Sequence, residues 1–81
     1  MPVTVLLFAG LREIVGAGEL SRPIEAAATV DAVWRDLRDH WPALTPYGPS
    51  LTCAVNAQYA PMSSPVQDGD EVAFLPPVSG G

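Results

Sequence analysis

Only one stretch of this chain has the pattern of a long helix, and one amphipathic helix cannot enclose a core without a second layer to cover. It starts at Thr29, a good N-cap, with Asp31 in the first turn where a carboxylate meets the positive end of the helix dipole. It stops at Pro42. Val30, Val33, Trp34, Leu37 and Trp41 recur on one face, while Asp31, Arg35, Asp36, Arg38 and Asp39 fall mainly on the other. The apolar stripe has to lie across a sheet, and the remaining segments supply one.

Val3 to Ala9 is rich in β-branched and large apolar residues and reads as a first strand that stops at Gly10. Leu11 to Val15 forms a short helical turn ending at Gly16. Glu19 to Ala26 is a second strand interrupted by Pro23, which places it at an edge or a bulge. Between Pro42 and Ser50 three prolines and Gly48 predict a loop that sustains neither helix nor ladder. Leu51 to Val55 is a further strand turning at Asn56, with Tyr59-Ala60 pairing briefly after it. Asp68-Gly69-Asp70 is the strongest turn signal, and it delivers Glu71 to Leu75 as the last strand. Pro76-Pro77 ends that strand, leaving Val78-Ser79-Gly80-Gly81 as a free tail. The predicted class is α+β, with a mixed sheet and one main helix on one face.

Side chains alternate along a strand, so one polar residue sets the phase of its neighbours. With Thr4 outward, Leu6 and Phe8 point outward too, and Val3, Val5 and Leu7 turn toward the helix. Glu71 likewise sends Ala73 and Leu75 outward and Val72 and Phe74 inward. Phe8 and Leu75 would then stand in solvent, and a contiguous apolar patch beside a free tail marks a protein-binding face. The alternative is a buried Thr4 with both faces covered.

The chain has 81 residues, room for a single domain, and 48% of them are hydrophobic against 16% charged, which excludes a disordered chain. Nine acids against four arginines give a net charge of −5, the wrong sign for a nucleic-acid binder. No segment approaches membrane-spanning length, no basic leader follows Met1, and the chain reads as cytoplasmic. Cys53 and His40 are the only cysteine and histidine, so no disulfide, zinc cluster or redox pair is expected. Cys53 reads as a buried small hydrophobe, His40 as a structural or solvated residue, Trp34 and Trp41 as core, and Asp68 and Asp70 as turn formers rather than calcium ligands. There is no lysine, so lysine-linked chains cannot be built on this protein.

The terminal stretch Asp68-Gly69-Asp70-Glu71-Val72-Ala73-Phe74-Leu75-Pro76-Pro77-Val78-Ser79-Gly80-Gly81 closely resembles the end of the small, sulfur-carrying subunits of molybdopterin synthase. The first strand extended by Leu11-Arg12-Glu13 is similar to that family's start, and Ala54-Val55-Asn56 matches as well. The resemblance implies a ubiquitin-like β-grasp domain over 1–75, with first and last strands parallel at the sheet's centre, and a flexible functional tail over 76–81. It also implies a cycle in which an E1-like enzyme adenylates the Gly81 carboxylate with ATP, and sulfur from a persulfide donor displaces AMP to leave a thiocarboxylate. That sulfur goes to cyclic pyranopterin monophosphate in the large subunit, within a heterotetramer of two large and two small subunits. ATP belongs to the activating enzyme, and no cofactor is bound stably here.

A carboxylate becomes a useful electrophile only when its oxygen is made a good leaving group, which is what adenylation supplies. Gly80 and Gly81, lacking Cβ, suit passage through a narrow channel, and Pro76-Pro77 is pre-extended. By the same resemblance, Phe8, Tyr59 and Leu75 contact the large subunit and the activating enzyme, with Pro76, Pro77, Val78 and Ser79 entering the partner. Tyr59 is a departure, aromatic where the family is aliphatic. Arg12 matches an arginine directed at the activating enzyme, against its plain reading as a solvated side chain. The chain alone has no nucleophile, base and oxyanion donors, so turnover is expected only with the large subunit. A thiazole-synthesis sulfur carrier and a ubiquitin-like modifier joined through Gly81 to other proteins' lysines are the alternatives, beside a passive interaction domain.

Overall fold

The computed structural model describes residues 2–77, so Met1, Val78, Ser79, Gly80 and Gly81 lie outside the described residues. Five strands, β1 (Pro2–Leu7), β2 (Glu19–Pro23), β3 (Thr52–Val55), β4 (Gln58–Tyr59) and β5 (Glu71–Leu75), form one mixed sheet in the order β2-β1-β5-β3-β4. β1 and β5 run parallel at its centre, with Thr4 opposite Glu71 and Leu7 opposite Phe74. The other pairs are antiparallel. This is the β-grasp arrangement that the resemblance implies.

Alternation along the central strands decides what is buried. Val3, Val5, Leu7, Val72 and Phe74 are buried on the inner face, while Thr4, Leu6, Ala73 and Leu75 are only partly covered. Helix α2 (Val30–His40) covers the inner face with Val30, Val33, Trp34 and Leu37. Its Trp34 ring lies 5.2 Å from Phe74, a tilted aromatic pair worth about 0.5–1.5 kcal/mol beyond its area. The N-terminus of α2 is as expected, since Thr29 Oγ1 accepts from the Ala32 N–H at 3.3 Å. The two following donors are also satisfied, the Val30 N–H giving to the Ser64 carbonyl and the Asp31 N–H to that of Met62.

Several boundaries differ from the expectation, β3 starting at Thr52 rather than Leu51 and β4 pairing through Gln58–Tyr59 rather than Tyr59-Ala60. The first strand ends at Leu7, because Phe8 is already the cap of helix α1 (Ala9–Val15), which absorbs Gly10 and ends at Gly16 with φ 85°. The second strand ends at Pro23 rather than Ala26, since proline has no N–H to continue the ladder, and it does lie at the sheet edge. Pro42–Ser50 is a 3-10 helix and not an irregular loop. Three-residue turns restart often enough to step around prolines, and fully buried Leu44 ties the segment to the core.

The edge strand is fastened to the helix by a two-pronged ion pair. Arg22 Nε and Nη2 donate to the two Asp36 carboxylate oxygens at 2.7 and 3.1 Å, and this bonding pushes the Arg22 pKa up. His40 sits beside the pair at the end of α2, with Nδ1 2.8 Å from the Asp36 carbonyl, in keeping with a structural role.

Candidate functional site

The central parallel pair brings the end of β1 and the end of β5 to the same end of the sheet. Leu7 is opposite Phe74, so the next residues, Phe8 and Leu75, are set side by side where the chain continues into Pro76 and Pro77. Phe8 keeps an extended backbone, φ −128° and ψ 155°, and so continues the outward alternation of Thr4 and Leu6. Its side chain is 43% exposed. Leu75 is half-buried rather than standing free in solvent, because β3 flanks it through the pair Thr52–Leu75. Pro76 is half-buried and Pro77 exposed.

The register extends this surface across the sheet. Leu6, Ala73, Ala54 and Tyr59 are consecutive cross-strand partners and share the outer face. Phe8 and Tyr59 are the two exposed large hydrophobic side chains among the described residues, and Tyr59 is 82% exposed. Between them the small side chains of Ala73, on the tail-bearing strand, and buried Ala54, on its neighbour β3, make a shallow floor. The sequence reading did not single out Leu6, Ala73 and Ala54 as site residues. Leu6 and Ala73 were already placed outward by the strand phase, whereas Ala54 needed the β3–β5 register.

Tyr59 owes its place to a tight hairpin. Asn56 and Ala57 both have positive φ, 50° and 68°, the signature of a two-residue turn of the primed type. Asn56 also locks the turn to the start of β5. Its N–H donates to the Glu71 carbonyl at 2.8 Å, the Glu71 N–H returns a bond to Asn56 Oδ1 at 3.0 Å, and Asn56 Nδ2 donates to Asp70 Oδ1 at 3.0 Å. Asp70 Oδ2 accepts the Gln67 N–H at 2.8 Å. The Asn56 side chain and then the Gln67 N–H hold the Asp70 carboxyl below the usual carboxylate range. Asp70 is therefore a turn former, as expected.

Arg12 is exposed on α1, the helix that Phe8 caps, and its stem lies along Gly18, where a Cβ would meet Arg12 Cδ and Nε at 3.4 Å. Val78, Ser79, Gly80 and Gly81 lie outside the described residues, so the structure brings together the root of the tail and not its working end. Cys53 faces the core, 5% exposed, donating to the Met62 sulfur at 3.8 Å, and burial pushes its thiol pKa up. That is the reverse of an activated nucleophile. No three His, Cys, Asp or Glu side chains group as a metal site among the described residues, and no described helix is long and apolar enough to cross a membrane. A groove lined by Pro23, Ala28, Ala32 and Asp36 lies at the opposite strand ends from the tail. The outer face and the tail root thus form one continuous, partly apolar surface among the described residues.

Residues 5–81 match the model of the ThiS family. The chain is 41% identical over 85 residues to the molybdopterin synthase sulfur carrier subunit of Escherichia coli K12, covering 98% of this chain and 99% of that one. Its fold superposes on the crystal structure of SAMP1 from Haloferax volcanii with a TM-score of 0.87 at 29% identity, over the whole of both chains. It is also similar in fold, with a TM-score of 0.65 at 24% identity over the whole of both chains, to a chain in the complex of subunits 1 and 2 of the molybdopterin-converting factor from Helicobacter pylori. With a family match running to Gly81 and a full-length relative at this identity, the chain belongs to the ThiS family, among the molybdopterin synthase sulfur carrier subunits.

Proposed function

We propose that this protein carries sulfur as a thiocarboxylate on Gly81 and delivers it, inside molybdopterin synthase, to cyclic pyranopterin monophosphate. The observation that carries the reading is the course of β5: a central strand runs straight into Pro76-Pro77, beside Phe8 and Leu75, on an outer sheet face free of helix. A partner seated on Leu6, Phe8, Ala73, Leu75 and Tyr59 would have the tail leaving from beneath it. The full-length relatives favour this reading over a thiazole-synthesis carrier or a protein modifier.

The chemistry balances in four steps. A Gly81 carboxylate oxygen attacks the α-phosphorus of ATP on an E1-like enzyme, and pyrophosphate leaves. The terminal sulfur of a persulfide donor attacks the acyl carbon and AMP departs, giving an acyl disulfide. A second thiol cleaves that S–S bond, its sulfur forming a disulfide with the donor's, and the thiocarboxylate is released with the electron pair. In the large subunit the sulfur bonds to a precursor carbon that carries an oxygen, that C–O bond breaks with the electron pair leaving on the oxygen, and water then breaks the acyl–sulfur bond and returns the Gly81 carboxylate. A dithiolene holds two sulfurs, so two carriers are consumed per product, in keeping with a heterotetramer of two large and two small subunits. Groups that bind the anionic tail, cationic or backbone N–H, come from the partner.

The test is reconstitution. Purified carrier, activating enzyme, ATP, sulfur donor, large subunit and precursor should yield molybdopterin, and omission of the large subunit should abolish it. Deleting Gly81 should remove product formation while leaving thermal unfolding unchanged. Product formation that survives the deletion would refute the reading, and ladders of covalent adducts in its place would favour a modifier.

A further inference from the structure

Phe8 lies between two buried anchors. Leu7, whose N–H donates to the Gly18 carbonyl at 2.9 Å, and Leu11, whose N–H donates to the Phe8 carbonyl at 3.1 Å, both face the core. Of the three residues between them, Phe8 is extended, and Gly10 brings no Cβ to restrict its backbone. A side chain is barred from Gly10 for another reason, since its Cβ would stand 3.0 Å from the Tyr47 hydroxyl. The reversal from strand to helix therefore falls on Ala9, which holds φ at 50°, in the left-handed region that L-residues with a Cβ seldom occupy. Glycine is the easy residue for such a turn, yet alanine stands there with its side chain exposed, making no core contact that would account for it.

We propose that Ala9 is a positioning residue for partner docking: its constrained left-handed backbone fixes the direction in which Phe8 is presented beside the tail root. An Ala9-Gly10 pair is a defined corner, whereas a Gly-Gly pair would be a hinge. Ordering a hinge on binding costs backbone entropy that the corner has already lost. The proposal rests on the reading that Phe8 touches the large subunit, and the experiment separates the two.

Titration calorimetry of the large subunit with wild type, Ala9→Gly, Phe8→Ala and the double variant, each with its unfolding temperature, gives the answer. Phe8→Ala should weaken binding by about tenfold or more. Ala9→Gly should weaken it by about two- to fivefold, the factor set by the difference in backbone freedom between glycine and alanine, with the unfolding temperature held. The double variant should bind no more weakly than Phe8→Ala, because Ala9 acts through Phe8. Ala9→Asn keeps a Cβ and tolerates the left-handed region, so it should bind as wild type. Wild-type affinity for Ala9→Gly with weak Phe8→Ala, additive losses in the double variant, or weak binding by a folded Ala9→Asn would each overturn the proposal. Wild-type affinity for Phe8→Ala would remove the docking reading beneath it as well.

Discussion

Leu7 and Phe8 are adjacent, large and apolar, yet Leu7 is buried beneath α2 while Phe8 stands 43% exposed across the sheet. Phe74 and Leu75 repeat the contrast on the parallel neighbour, one buried against Trp34 and the other left partly open. Hydrophobicity does not separate these pairs; strand phase does. The inner members share a closed core with no buried polar group among the described residues, whereas the outer members line a face that no helix covers. Two faces of one sheet thus take similar side chains to different ends, folding on one and, in the function proposed above, recognition on the other.

Truncation should expose that difference most sharply. Phe74→Ala removes a buried ring packed on Trp34 and is expected to cost about 3–5 kcal/mol of stability, read as a large fall in denaturant midpoint. Phe8→Ala should leave the midpoint nearly unmoved, within about 1 kcal/mol, while weakening large-subunit binding by about tenfold or more. Equal stability losses at both positions would erase the distinction between the faces.

The hairpin that carries Tyr59 allows a finer test. Ala57 holds φ at 68°, where glycine is unstrained, so Ala57→Gly is expected to change stability by no more than about 1 kcal/mol, toward greater stability if strain relief outweighs the added freedom of the unfolded chain. Partner affinity should hold, since Asn56 still ties the turn to β5. A marked loss of stability would contradict the turn geometry.

The smallest effect belongs to Asp70, half-buried in the turn before β5. Its carboxyl sits below the ordinary value because the charged form accepts from Asn56 and Gln67. A depressed folded-state pKa contributes stability that is present above the unfolded value, near pH 3.9, and is lost as pH falls through the folded one. The unfolding curves of wild type and Asp70→Asn should therefore differ at neutral pH and converge below about pH 4. Curves that stay parallel through that range would deny the contribution.

Much of this architecture is legible in the sequence where one residue decides one feature. Thr29 fixes the start of α2, Thr4 and Glu71 set the strand phases, and Asp68-Gly69-Asp70 places the turn before β5. What stayed hidden depends on partners distant in the chain. Nothing local says that Phe8 ends a strand and caps a helix, or that Pro42–Ser50 winds as a 3-10 helix around buried Leu44. Gly10 resembles a strand terminator until Tyr47 arrives against it from 37 residues further along, a separation counted from 10 to 47. The half-burial of Leu75 likewise needs β3 as its neighbour. Strand phase already turns Phe8 outward with Leu6, whereas Tyr59 follows from the family resemblance alone, and the register is what sets both on one face with Ala73 and Ala54.

The most direct test of sulfur carriage is a high-resolution mass spectrum of the protein from its native host, with fragmentation of the C-terminal peptide. Localisation matters, because oxidation of Met1 or Met62 adds nearly the same mass as exchanging oxygen for sulfur. Sulfur in place of oxygen on Gly81, and absent when the activating enzyme is deleted, is the predicted result. A Gly81 that remains an unmodified carboxylate with activating enzyme, ATP and sulfur donor all present would contradict the account.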